Sequence, residues 1–375
     1  MIVHQLIKYF ETWAPKGASW EKDNVGLQIG STDAKIKNIF LSLELNAESL
    51  NEAIKKNCNF IFTHHPFLFK PLSKIDITHN PKAKLIEKLI KNNITLYSAH
   101  TNLDFTKHGV SFELAKRLKL NNINFLKNEK GNQVKLIVFV PAEFVDKVSN
   151  AIFNAGGGVI GEYTKCSFRT NGSGTFEGSE NTNPALGKKE NFEKVEETKI
   201  EVLINKWDAS KVIKSMIAAH PYEEPAFDVI PLENENVNYG FGAIGELDKP
   251  LAQNEFLNHV CKKLKTKNIR FTKGSGRKIK KVAVCGGSGA RLVFDAVNQN
   301  ADAFVTADVK YHDFQDGENE ILFIDAGHYE TEILILDEVK KRIEKIISDS
   351  GKNIKVYKNS RSTNPVRFFN NTGDK

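Results

Sequence analysis

The sequence predicts an α/β protein with a mainly parallel sheet, interrupted by an inserted α+β domain of ferredoxin-like βαββαβ order. Three observations lead there. The first third alternates apolar, β-branched runs with segments of helical spacing, the last third repeats that alternation, and the middle breaks it. The expected boundaries are 1–127 and 239–375 for the two halves of one α/β domain, and 128–238 for the insert.

In the first third, "IKNIFLSLEL" reads as a strand, "AESLNEAIKK" as a helix and "NFIFT" as a second strand. "PKAKLIEKLIKNN" places proline at a helix start, where its missing N–H costs nothing, and gives way to the strand "ITLYSAH". The last third follows the same grammar with "KKVAVCGG", "ARLVFDAVNQN", "ADAFVT", "EILFIDAG" and the long amphipathic "YETEILILDEVKKRIEKII". Between them, from "VKLIVFVP" to "FDVIPL", the order is strand, helix, strand, strand, helix, strand. The stretch "RTNGSGTFEGSENTNPALGKKENFEKVEE" inside it is rich in Gly, Asn and Ser and is expected to be an exposed, partly mobile loop.

Composition excludes several classes. With 375 residues and 40% hydrophobic content the chain can bury a core, and its length suits two or three domains. The net charge of +7 is well mixed apart from short clusters such as "SGRKIKK", which favours anionic ligands. No helix-turn-helix, zinc-knuckle or RNP pattern is present, so a nucleic-acid partner is not expected. Cys58, Cys166, Cys261 and Cys285 make no C-x-x-C pair, and the start "MIVHQLIKYFETW" carries charges where a signal peptide would be apolar. A reducing cytoplasm is the expected setting. No apolar run approaches the roughly 18 residues a membrane span requires.

Three places collect metal-type ligands at the C-terminal ends of expected strands, the edge where open α/β sheets bind ligands. They are His64 and His65 after "NFIFT", His100 and Asp104 in "SAHTNLD", and His328 with Glu332 in "GHYETE". Singly, each has an ordinary reading: a polar strand exit, a turn with an Asp cap, a solvent-facing helix pair. Together they carry more. His328 and Glu332 are four apart and share one helix face, and Pro66 stops a regular strand, so both preceding imidazoles can turn to one site. Imidazole and carboxylate donors without thiolate suit zinc, manganese, iron or another divalent ion. The ligands exceed what one ion needs, and two ions roughly 3.5–4 Å apart, spanned by Glu332, is the economical arrangement.

"WEKDNVGLQIG", "THHPFLFKPL", "SAHTNLD", "CGGSG", "ADAFVTADVKYHDFQDG", "GHYETE" and "STNPV" together resemble the GTP cyclohydrolase I type II homologues, the Nif-three-like dinuclear metal proteins. The resemblance covers both flanking thirds, in order. It implies a Nif-three-like α/β domain, two divalent ions per subunit with zinc foremost, and ligation by His64, His65, Asp104, His328 and a bridging Glu332. It also implies an insert resembling the signalling protein P-two and the copper-tolerance protein CutA, a toroidal homohexamer, and a small-molecule, nucleotide-class substrate. Glu44, Ser111 and Ala307 stand where the family usually has aspartate, asparagine and glycine.

His100 and His312 are the expected proton-transfer residues, each with a structural alternative. Asp308 can orient a ligand or cap a helix. "CGGSGA" is read as a tight strand-to-helix turn before a phosphate cradle, since it lacks the Walker lysine and spacing. "NAGGGVIGEY" is expected to be a helix C-cap and turn. His4, His79, His108 and His259 lack companion ligands, and His220 in "AAHPYEEPA" belongs to the insert. The functional expectation is a metal-dependent hydrolase-type protein. Its alternative is a metal-handling or regulatory scaffold without turnover.

Overall fold

The computed structural model describes residues 1–369. The chain divides into two compact units, one from Met1–Lys127 with the chain from Tyr239 onward, the other Asn128–Asn238.

In the first unit the sequence reading expected one mainly parallel sheet; among the described residues there are two. The first sheet runs in the order Gly26–Ile29, Thr95–Ser98, Phe60–Thr63, Ile39–Ser42, Val356–Lys358. Its pairings are parallel except at Gly26–Ile29. Every residue of the three central strands is buried, as expected of parallel strands covered on both faces. Side-chain alternation sorts the two covers. Ile39, Leu41, Phe60, Phe62 and Tyr97 pack with the helices Val3–Trp13 and Ile335–Asp349. Phe40, Ile61 and Leu96 pack with the helices Ala47–Lys55 and Pro81–Lys91. Asn46 and Ser49 cap the former reciprocally, and Asn80 caps the latter ahead of Pro81.

The second sheet runs in the order Arg270–Phe271, Leu322–Asp325, Ala303–Thr306, Ile279–Val284, Ala243–Leu251, Asn121–Asn124. Only its three middle strands are parallel. Asn121–Asn124, from the first third, joins the second sheet, and Val356–Lys358, from the last third, joins the first. The sequence halves therefore exchange strands, which periodicity alone does not reveal.

The second unit has strands Gln133–Pro141, Phe168–Glu177, Phe192–Asn205 and Phe227–Leu232, with helices Val145–Asn154 and Ala209–Ala219. Its sheet order is Phe227–Leu232, Gln133–Pro141, Phe192–Asn205, Phe168–Glu177, all neighbours antiparallel. Val134, Leu136, Val138, Ile200, Val202 and Ile204 form the core with the two helices. About half of the expected glycine-rich loop is strand instead, and 178–191 connect the two strands. Phe168–Glu177 pairs with the 14-residue strand Phe192–Asn205 along its whole length, and an edge position tolerates Gly172 and Gly174.

Candidate metal centre

The strand Phe60–Thr63 delivers His64 and His65 to the C-terminal edge of the first sheet, and the strand Thr95–Ser98 delivers His100 beside them. His64 is fully buried, with Nδ1 2.8 Å from the Ala99 carbonyl oxygen. That oxygen can only accept, so Nδ1 carries the hydrogen and Nε2 presents its lone pair. His65 is turned the other way, its Nδ1 donating to Glu44 Oε1 at 3.1 Å. His100 Nδ1 donates to Asp23 Oδ2 at 2.9 Å, and that carboxylate also accepts from the Thr101 amide.

From the second sheet, Leu322–Asp325 ends at Gly327, whose φ of 93° suits glycine, and the helix His328–Glu332 begins. His328 Nδ1 lies 2.6 Å from Asp308 Oδ2. One turn on, Glu332 Oε2 is 3.0 Å from His328 Nε2 and 2.9 Å from His65 Nε2, while Glu332 Oε1 is 3.9 Å from His64 Nε2. Asp104 Oδ1 completes the cluster 3.5 Å from His64 Nε2. Among the described residues, two overlapping groups have the spacing of metal ligands: His64, His65 and His100, and His65, His328 and Glu332.

The chemistry of these donors fits divalent cations. His64 Nε2 and Asp104 Oδ1 are buried and have no hydrogen-bond partner, and Glu332 Oε2 is buried against the ring nitrogens of His65 and His328. Buried polar atoms are ordinarily satisfied, and two bare acceptor atoms 3.5 Å apart beside a buried carboxylate are an arrangement that a cation would satisfy. The electrostatics agree. Burial holds the His64 imidazole far down, to about 3, which favours the neutral ligand form. Burial also pushes the Asp104 carboxyl up. For Glu332, burial acts upwards but the imidazoles of His328 and His65 outweigh it and keep the carboxylate ionised. Burial would lower His65 and His328 too, yet Glu332 with Glu44 raises the former to about 10, and Glu332 with Asp308 raises the latter to about 9.

A supporting layer fixes the ring orientations. Glu44 accepts from Thr363, in the "STNPV" stretch, and Asp308 accepts from Ser288. Asp308 thus orients His328, the first of its two sequence readings. Ser111 Oγ accepts from the Gly286 amide, and the Ala307 amide donates to the Gly287 carbonyl. The amides of Gly287 and Gly289 are taken by Thr331 and Thr306, so these turn amides are spent internally rather than held for a phosphate. Gly287 itself has φ +63°, and a Cβ there would lie 2.1 Å from Glu332 Oε1.

The structure brings His64, His65, His100, Asp104, His328 and Glu332 together. It leaves His312 apart, exposed on the helix Tyr311–Gly317 with Nδ1 on Gln315 Oε1. Asp23, Ser288 and Thr363 were not singled out from the sequence. The available signal for Asp23 was its place in "WEKDNVG", together with the need of each ligand-like histidine for an acceptor on its second nitrogen.

The profile of the family described as Duf34/NIF3 (NGG1p interacting factor 3) matches residues 1–365. The chain is 39% identical to a GTP cyclohydrolase 1 type 2 homolog of Halalkalibacterium halodurans, covering 97% of this chain and 98% of that one. It is 35% identical to the Bacillus subtilis protein of the same name, over 97% and 98%. Among solved structures it is similar to a Bacillus cereus protein related to NIF3, with TM-score 0.82, 35% identity and coverage of 98% and 99%. The agreement runs through both outer thirds and the insert, and the chain belongs to the Duf34/NIF3 family.

Proposed function

We propose that the centre holds two divalent ions, with His64, His65, Asp104, His328 and Glu332 as ligands, and that the protein is a metal-dependent hydrolase acting on a small, phosphate-bearing molecule. The observation that carries this reading is the pair of unpartnered buried atoms, His64 Nε2 and Asp104 Oδ1, 3.5 Å apart beside the buried Glu332 carboxylate. Bound there, zinc, manganese or iron would supply Lewis acidity and a water acidic enough to react near neutral pH.

The chain's own residues do the rest. Glu332 turns Oε1 towards His64 and Oε2 towards His65 and His328, the disposition of a carboxylate shared between two positions. Glu44 and Asp308 hold the rings of His65 and His328 so that each Nε2 faces inward. His100 stands beside them, ring centroids 5.3 Å from His64 and 5.5 Å from His65, with its far nitrogen on Asp23. Burial lowers its proton affinity but the Asp23 carboxylate outweighs that and raises it, which suits a residue that takes and returns a proton. His312, away from the cluster, is the weaker candidate for that role.

GTP is the substrate that the relatives' name offers, and it is the first compound to try. The proposal extends to the domain reading: 1–127 and 239–375 as one metal-binding domain around an insert of ferredoxin-like order at 128–238, supported by the strand order of the smaller unit. The hexamer and the cytoplasmic setting implied by the resemblance belong to it as well. No helix among the described residues is long and apolar enough to cross a membrane.

The test is metal content by mass spectrometry, with turnover of GTP and a panel of phosphoesters, in wild type and the Glu332→Gln, His100→Ala and His312→Ala variants. The expected result is near two ions per chain, loss of metal in Glu332→Gln, metal without turnover in His100→Ala, and no change in His312→Ala. Two bound ions with no compound consumed would instead favour the metal-handling scaffold. A wild-type chain that binds no divalent ion would refute both.

A further inference from the structure

The second unit contains a cavity of about 760 Å³ on the sheet face opposite its two helices. That size is within the range of small-molecule sites. Its floor is the edge strand Phe168–Glu177, where Thr170, Gly172, Gly174 and Phe176 alternate onto this face opposite Lys199, Glu197, Val195 and Glu193. Gly172 removes a side chain from the middle of the floor: a Cβ there would meet nothing within 4 Å. Gly174 does something different. A Cβ there would come 2.1 Å from Glu197 Oε2, so its absence lets the Glu197 carboxylate lie across the strand.

The wall is the turn after the helix Ala209–Ala219. His220 builds it, with Nε2 donating to the Phe139 carbonyl and Nδ1 accepting from the Tyr222 amide. Tyr222 packs edge-on against Phe176, with its hydroxyl buried. Burial first, and then the Glu197 carboxylate that accepts from the hydroxyl, push the phenol up and hold its proton in place. The roof is the segment between the two paired strands, tied to the wall by the Asn183 amide on Glu223. The recess therefore presents aromatic sides, a phenol oxygen beside Glu197, and the carboxylates Glu197, Glu223 and Glu224. The nearby cation, Lys199, already has Nζ 2.7 Å from Glu201.

We propose that this recess binds a compact organic cation, an amine or amidine on an apolar body, with its charged end on Glu197 and Tyr222 and its body against Phe139 and Phe176. Carboxylate and phenol oxygens accept hydrogen bonds from an ammonium or amidinium, aromatic faces attract the same charge, and the acidic excess repels phosphate. All of its lining residues belong to the second unit.

The experiment is calorimetric titration of the full-length, metal-loaded protein with agmatine, tryptamine and spermidine, and with inorganic phosphate and GTP as anionic controls. It is repeated on Glu197→Gln and on Gly172→Leu, which fills the floor at a position without positive φ. Saturable binding of at least one amine, weakened about tenfold or more in Glu197→Gln as a lost charge-assisted hydrogen bond requires, and abolished in Gly172→Leu, with metal content unchanged, supports the proposal. Should Gly172→Leu not fold, as circular dichroism would show, Glu197→Gln alone decides. The proposal is overturned if no amine binds below millimolar concentration, if binding survives both substitutions, or if the anions bind instead. A change of oligomeric size in Gly172→Leu without an amine effect would assign the recess to a second copy of the chain and overturn it equally.

Discussion

His65 and His328, separated by 263 residues of chain, bring their Nε2 atoms to 3.4 Å, both aimed at the same oxygen of Glu332. Each ring has a carboxylate on its other nitrogen, Glu44 for one and Asp308 for the other. Without a metal, protons on these two rings offset most of the charge of the three carboxylates, which is why their titration points rise to about 10 and about 9. Ligation requires the inner nitrogens bare, so metal uptake must expel those protons. Loading at pH 7 is expected to release about two protons per chain. Affinity should rise with pH throughout the range below about 9. Calorimetry of zinc binding in buffers of different ionisation enthalpy measures the proton count; a count of zero would contradict the geometry.

Asp308 sits at φ 54°, a left-handed conformation that asparagine also tolerates. Asp308→Asn therefore removes the charge behind His328 with little cost to the backbone. Metal affinity is expected to fall by about 10- to 100-fold, the usual effect of losing such a partner. Competition with a calibrated chelator reads it directly.

The Asp23–His100 pair gives a dated signature in the pH dependence of stability. Burial opposes ionisation of Asp23, but His100 and Thr101 outweigh it and bring the carboxylate down to about 2. Its contribution is present above the unfolded value near 3.9 and is lost as pH falls through about 2. His100 is raised, so its contribution is present below about 6.5 and is lost as pH climbs through its higher folded value. In the metal-free protein, Asp23→Asn is expected to cost on the order of 3 kcal/mol at pH 5.5 and less at pH 9. Urea unfolding at the two pH values tests this; equal losses would remove the charge pairing as the cause.

Some of this was legible in the sequence. His64 and His65 stand beside each other at the end of a β-branched run, and His328 with Glu332 has the one-turn spacing of a helix face, so local pattern carries them. Glu44, Asp23, Ser288 and Thr363 act through contacts across the fold, Thr363 reaching Glu44 over 319 residues, and no local period encodes that. His312 shows the converse: it follows a strand that borders the centre, yet its helix turns it to solvent. Strand direction in the second sheet was equally silent, because alternation reads burial and not polarity of the chain. The glycines of Phe168–Glu177 suggested a loop since composition does not register the long partner strand that holds them extended.

Gly287→Ala should be disproportionately harmful for so small a change. The substitution combines a left-handed φ with a methyl 2.1 Å from Glu332 Oε1. The expected cost is about 1–3 kcal/mol, with metal content falling because the carboxylate is displaced. Thermal unfolding of the metal-free variant, compared with its metal content, separates backbone strain from lost ligation.

The strand exchange between the two ends of the chain also governs biosynthesis. Ile39–Ser42 waits for Val356–Lys358 as its neighbour, whereas the strands of the smaller unit all emerge between residues 133 and 232. On the ribosome the smaller unit can mature while Ile39–Ser42 still lacks its outer neighbour and Asn121–Asn124 its sheet. A prematurely terminated polypeptide would then carry a finished middle and an open flank, unable to capture ions and exposed to proteolysis.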